Sequence, residues 1–298
     1  MRVFYRAFVG MAIVCGGPAP MVAGEVTPEI HDRAVAILRE AVRNDTEWVR
    51  VHAAEALLRN GAPEGVEEAF LPEVEDSPPR HRIGVWRVLA QAQDDAQARE
   101  GYVQRIREAF LDLDGPDRLH AAETLGKLGD AKRSTQLLNA VTEDSPMGAY
   151  ARLILANTGA VEDAEYLAAL LGSYDEGVRR STAYALRFAP NLDEPTTERV
   201  RGTALAEPED SPVRLNLLIA WLAHADEAER VRIKELLMPY AASEKKAERY
   251  QFGEAMALGG GDGDVPVLLK LLQDEDTDVR ISAANALLSI ERRGRGTD

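Results

Sequence analysis

Five histidines (His31, His52, His81, His120, His224), a single cysteine (Cys15) and the loop Gly259-Gly-Gly-Asp262-Gly-Asp264 are the residues of this 298-residue chain whose types could do chemistry. Imidazoles could ligate a metal or move protons, and paired carboxylates on a glycine-rich loop could coordinate calcium. Spacing argues against both. His52 and His120 hold the same slot in units two apart of an internal repeat. At about 8–10 Å per helix layer they stand roughly 20 Å apart, too far to share one ion. The Gly259–Asp264 loop lacks the further oxygen ligands and the terminal Glu of a calcium loop, and it falls where a turn and a cap are needed before the helical pattern at Val265. The chain has no Gly-x-Ser-x-Gly elbow, His-Glu-x-x-His pair, lysine-bearing phosphate loop or dinucleotide fingerprint. No catalytic residue, cofactor or metal ligand is expected.

The elements that would have to position any site are written in a repeat. Glu-Asp-Ser-Pro occurs at Glu75–Pro78, Glu143–Pro146 and Glu209–Pro212, each time just before an Ala/Leu-rich helical pattern, at twice a period of about 34 residues. The clearest unit reads Val279-Arg280, Ala283-Ala284, Ala286-Leu287. The same order recurs as Val49-Arg50, Ala53-Ala54, Ala56-Leu57, Gly61 and as Arg118, Ala121-Ala122, Thr124-Leu125, Gly129. Arginine fills the marker slot at Arg50, Arg82, Arg118, Arg179, Arg214, Arg249 and Arg280, and Gly148 replaces it in the fourth unit. A first amphipathic helix precedes each of these, as at Ala34–Val42, Glu165–Leu171 and Val265–Leu272, with apolar residues at i, i+3, i+4 and i+7. Asp or Ser caps the second helix, and Pro fits its first turn, where no amide donor is needed. The Ala pairs let neighbouring backbones approach while Leu and Val fill the space between units.

The chain resembles the HEAT-like repeats, in particular the short bacterial kind with D-x-x-x-V-R-x-x-A-A-x-A-L-x-x-x-G. The match is specific in the first, third, fifth and eighth units. It is weak in the second, at Ile83-Gly84-Val85-Trp86, and in the seventh, at Phe252-Gly253. The resemblance implies an all-α fold, an α-solenoid superhelix of about eight antiparallel helix pairs over residues 25–298, with a short polar tail at 291–298. It also implies that Arg50, Arg118, Arg179, Arg214 and Arg280 form a structural ladder between adjacent repeats.

Before the repeat, Arg2 and Arg6, the apolar run Ala7–Cys15 and the small residues Ala23-Gly24 have the order of a secretory signal peptide over residues 1–24. The expectation is export to the periplasm or the extracellular space. Val14 stands before Cys15 where a lipoprotein signal has a small residue, which argues against lipid attachment, and no segment is long and apolar enough for membrane insertion after cleavage. With 35 basic and 50 acidic residues the net charge is −15, and without Arg2 and Arg6 the balance is 33 to 50. That balance opposes nucleic-acid binding, which rests on clustered Lys and Arg.

In stacked hairpins of this type the second helices line the concave face. The slot between the Ala pair and the following Ala-Leu holds Glu55, Arg87, Glu123, Leu153, Tyr184, Ile219, Glu254 and Asn285 in turn. Polar outer units flank an apolar middle, where Tyr150, Arg187, Phe188 and Tyr250 are neighbours. Two readings stay open: a partner-binding patch of Tyr150, Leu153, Tyr184, Arg187, Ile219 and Tyr250, or side chains that the inner curvature buries against one another. The leading functional expectation is a non-enzymatic adaptor that binds a protein or peptide partner on this face, for instance as an accessory to a larger exported enzyme. The alternatives are an enzyme, since HEAT-like repeats resemble both bilin lyases and a group of DNA glycosylases, and end-to-end self-association. The last follows because the eighth unit follows the pattern closely instead of ending in a polar cap.

Overall fold

The structure, a computed structural model, describes residues 24–190 and 192–296; the expected signal peptide, Cys15 included, lies outside the described residues apart from Gly24. Sixteen helices among the described residues form eight antiparallel pairs. The pairs are α1 (Pro28–Asn44) with α2 (Glu47–Arg59), α3 (Val66–Phe70) with α4 (Pro79–Ala92), α5 (Ala96–Leu111) with α6 (Arg118–Lys127), and α7 (Thr135–Ala140) with α8 (Pro146–Ala156). They continue as α9 (Val161–Ala169) with α10 (Glu176–Leu186), α11 (Glu194–Ala206) with α12 (Arg214–His224), α13 (Glu227–Leu237) with α14 (Lys246–Gly259), and α15 (Val265–Leu271) with α16 (Thr277–Gly294). The expected tail begins inside helix, since α16 runs on through Glu291 to Gly294.

Caps and turns follow the residue chemistry. Ser145 accepts a hydrogen bond from the Gly148 amide at the start of α8, with Pro146 in the first turn, so one Glu-Asp-Ser-Pro is an N-cap. Asp95, Asp175, Asp193, Asp226 and Asp276 cap α5, α10, α11, α13 and α16 in the same way. The glycine that closes the motif ends α2 and α6 at Gly61 and Gly129, with φ of 75° and 74°, a conformation that side chains resist.

The even-numbered helices form an inner layer and the odd-numbered ones an outer layer. Between inner helices the small slots set the approach: Ala53, Ala54, Ala121, Ala122, Ala283 and Ala284 are completely buried. In the two weakly matching units glycine does the same work. A Cβ on Gly253 would lie 2.2 Å from Ser282 Oγ on α16, and one on Gly84 would lie 3.1 Å from Trp48 and Val51 on α2. The marker arginines tie loops and neighbours together. Arg50 reaches the Val42 and Ala69 carbonyls, Arg82 holds the buried Asp117 at 2.6 Å, and Arg249 holds Asp274 at 2.7 Å. Arg118, Arg214 and Arg280 bind carbonyls of their own preceding loops or helices. In the fourth unit Arg152, one turn further on, donates to Val141 O. Its usual slot must be glycine, because a Cβ at Gly148 would meet Glu143 O at 2.0 Å.

The solenoid closes into a ring. Helix α16 packs against both α2 and α1, so the eighth unit sits on the first. Across this seam Asn60 Nδ2 donates to Asn285 Oδ1 at 2.9 Å, Ser289 Oγ donates to Asn60 Oδ1 at 3.1 Å, and His31 Nδ1 lies 2.6 Å from Glu291. The end-to-end packing expected between molecules is therefore made within one chain. The closely patterned eighth unit finds its ninth neighbour in the first.

Candidate functional site in the bore of the ring

Closure turns the concave face into a bore. Eight helices spaced at about 9 Å form a ring of axes roughly 23 Å across, and inward-pointing side chains occupy its centre. Long side chains reach across it between inner helices two apart in the ring. Lys127 Nζ on α6 reaches Tyr184 OH on α10 at 3.2 Å, past α8. Arg187 Nη1, at the C-cap of α10, reaches Gln251 Oε1 on α14 at 2.8 Å, past α12. His52 on α2 stacks on Tyr250 of α14 with ring centroids 5.6 Å apart, past α16.

One wall, from α2, α4 and α6, is charged. Arg87 places Nη2 2.8 Å and Nε 2.7 Å from the carboxylate oxygens of Glu55, and both residues are buried. Gln91 donates to the same carboxylate at 2.9 Å, and Arg87 Nη1 donates to Thr124 Oγ1 at 3.2 Å. Burial works to raise the Glu55 carboxyl, but the charges of Arg87 and Lys127 and these hydrogen bonds outweigh it and hold the group well below the usual carboxylate range. Burial, with the Arg87 charge beside it, pulls His120 down to about 4, so its imidazole is neutral at pH 7. Burial also lowers the Lys127 ammonium, which Glu123, 3.7 Å away, partly offsets.

The opposite wall, from α8, α10, α12 and α14, is aromatic and apolar. Tyr184 and Phe188 meet edge to face at 5.3 Å, and both Arg187 and Lys127 lie against the Tyr184 ring, at 5.0 and 5.7 Å. Desolvation pushes the phenols of Tyr150, Tyr184 and Tyr250 far above their ordinary value, so all three stay neutral hydrogen-bonding groups. Desolvation lowers Arg187 to about 10, which leaves it charged at neutral pH.

The six sequence-predicted residues therefore fall into two groups. Leu153 and Ile219 are completely buried, Leu153 against Gly126, where a Cβ would come within 2.6 Å of it. They belong to the packing between inner helices and offer a partner no surface, which corrects the expectation placed on them. Tyr150 and Arg187 are nearly buried, and Tyr184 and Tyr250 stay partly exposed in the bore. Sequence reasoning missed Lys127, the cation that bridges the walls. Its signal was the spacing Glu123–Lys127, one turn apart on the inner face of α6. Two of the histidines share one partner, since Trp48 stacks on His81 at 5.3 Å and meets His120 edge-on at 4.7 Å, while His52 joins Tyr250. In the glycine-rich loop, Asp264 accepts from Lys234 Nζ and from the Gly261 amide, both at 2.9 Å, which makes it a cap and an ion-pair partner. Among the described residues no group of three or more His, Cys, Asp and Glu side chains is placed to hold a metal ion, and no helix is long and apolar enough to cross a membrane.

The family model of the HEAT repeat matches residues 265–292, the eighth pair of the ring. The chain is a HEAT-like repeat protein. HEAT repeats generally mediate protein interactions, and the seven helix pairs before the matched one stack in the same antiparallel order. Two crystal structures of engineered proteins are similar to this HEAT-like chain. One is 19% identical over 87% of this chain and 78% of its own, with a TM-score of 0.33. The other is 18% identical over 87% and 96%, with a TM-score of 0.23. No curated protein matches the sequence.

Proposed function

We propose that this HEAT-like ring is an exported, non-catalytic adaptor that binds a protein or peptide partner at the mouth of its bore. The observation that carries the reading is the set of partly exposed aromatic and cationic side chains in the bore: Tyr184, Phe188, Tyr250 and His52, with Lys127 beside Tyr184 and Phe188. Aromatic residues with an adjacent cation are the composition of binding hot spots, whereas Leu153 and Ile219, the aliphatic slot residues of the neighbouring helices α8 and α12, are fully buried. A non-catalytic role is supported by the way the ionisable groups of the bore are committed to one another: Glu55 to Arg87 and Gln91, Lys127 to Tyr184 and Glu123, Arg187 to Gln251 and Asn216. Export is supported by the order of residues 1–24.

The test begins with partner capture on the immobilised chain from exported proteins of the native host, followed by reconstitution with the purified partner. Phe188→Ala together with Tyr250→Ala weakens that complex by about 10-fold or more while the helical circular dichroism is unchanged. Equal affinity of variant and wild type contradicts the proposal.

A further inference from the structure

Two arginines are buried among the described residues, Arg87 and Arg187, with 2% and 9% of their surface exposed. Each burial takes a full charge out of water, which is costly unless a counter-charge meets it. Arg87 has Glu55. Arg187 has no carboxylate within ion-pair distance. Its Nη1 donates to the neutral Gln251 Oε1 at 2.8 Å, its Nη2 donates to the neutral Asn216 Oδ1, and the guanidinium lies 5.0 Å from the centre of the Tyr184 ring. Its buried Nε finds no acceptor at all. Glu254 acts on it only from a distance and accepts from Asn285 Nδ2 instead, at 3.3 Å.

The residues around this guanidinium leave a way in from the bore, since Tyr184, Asn216, Gln251 and Tyr250 are each half-exposed. Both amides turn their oxygens towards Arg187, and rotated by half a turn they present N–H donors to an entering acceptor. The phenols of Tyr150, Tyr184 and Tyr250 stay neutral and supply no counter-charge. One guanidinium within the field of Glu254 suits a group of one negative charge. That is a carboxylate rather than a phosphate group, which carries nearly two. Inward side chains already fill the centre of the ring, so there is room for one more side chain but not for a backbone with its flanking residues.

We propose that Arg187 receives one acidic side chain, Asp or Glu, of the peptide partner, which enters from the mouth of the bore and takes the ion-pair position that no residue of this chain fills. The inference rests on the partner reading above and gives that partner its chemistry: an acidic residue flanked by residues that pack on Tyr184, Phe188 and Tyr250.

Selection of random displayed heptapeptides on the full chain tests it, followed by synthesis of the enriched peptides with acetylated and amidated ends. Each is titrated beside a copy in which Asp or Glu becomes Asn or Gln. On the wild type the acidic copy is expected to bind at least about 10-fold more tightly than the amide copy. On Arg187→Met the two copies bind alike. Enriched peptides without a required acid, or an acid preference that persists in Arg187→Met, overturn this proposal and leave the adaptor reading standing. Loss of binding on amidation of the peptide end alone assigns the site to a chain terminus and overturns the side-chain assignment. No enriched peptide at all sinks both. Without peptide, Arg187→Met removes a buried charge that nothing nearby offsets, so its melting temperature is expected to rise by about 3 °C. A fall, or loss of the fold, makes Arg187 a structural residue and overturns the proposal.

Discussion

The two walls of the bore are built from the same slots of the same repeat, yet they are held by different forces. On α2, α4 and α6 the slot carries Glu55, Arg87 and Glu123, and on α8 and α12 it carries Leu153 and Ile219, with Tyr184 between them. Curvature brings both walls within reach of one another, so each buried charge must find a partner on a neighbouring helix, and each aliphatic side chain must find a gap. Glu55 finds Arg87, and Leu153 finds Gly126. The comparison shows that one position in a repeat can be an ion pair or a packing knob, provided the adjacent unit answers in kind.

Breaking the charged wall on one side has the largest expected effect. Arg87→Met leaves the Glu55 carboxylate buried without its cation and costs about 3–5 kcal/mol in chemical denaturation, whereas Arg87→Met with Glu55→Gln recovers most of that loss. Leu153→Ala on the other wall costs about 2–4 kcal/mol, as a cavity beside Gly126 would. If the single Arg87 variant is the milder of the two, the buried pair contributes less than the structure implies.

Acid comes next. The His120 pKa in the folded ring, about 4, lies below its ordinary value of 6.5, so the unfolded chain takes up that proton first as the pH falls. The stability due to a neutral His120 is complete above about pH 6.5 and is lost between there and pH 4, by about 3 kcal/mol. Stability measured across that window in His120→Asn shows a correspondingly flatter decline. A slope identical to wild type contradicts the assignment. The contact between the walls is smaller: Tyr184→Phe removes one hydrogen bond to Lys127 and costs about 1 kcal/mol without altering the ring stacking on Phe188.

Much of this architecture was legible in the sequence, because the repeat is local. The spacing of Arg50, Arg118 and Arg280, the Ala pairs and the Ser and Asp caps each act within one helix pair or between two. Closure was not legible. It depends on a small rotation per unit summed over eight, which no single motif encodes. Its trace was the eighth unit, too regular for a terminal cap, and the seam residues Asn60, Asn285 and Ser289, which show no pattern until the ends are brought together. For the same reason the apolar middle of the slot series reads as an exposed patch in sequence and as packing in the ring. Leu153 and Ile219 are apolar because both sides of the wall are covered.

The central claim is that one chain closes on itself, and a distance between its first and last units tests it most directly. Spin labels on cysteines replacing the exposed Ala36 of α1 and Lys270 of α15, in a Cys15→Ser background, report that distance by double electron–electron resonance. The closed ring gives one narrow distribution below about 30 Å, whereas an open stack of eight layers separates the same labels by roughly 60 Å or more, and a distribution centred there contradicts closure.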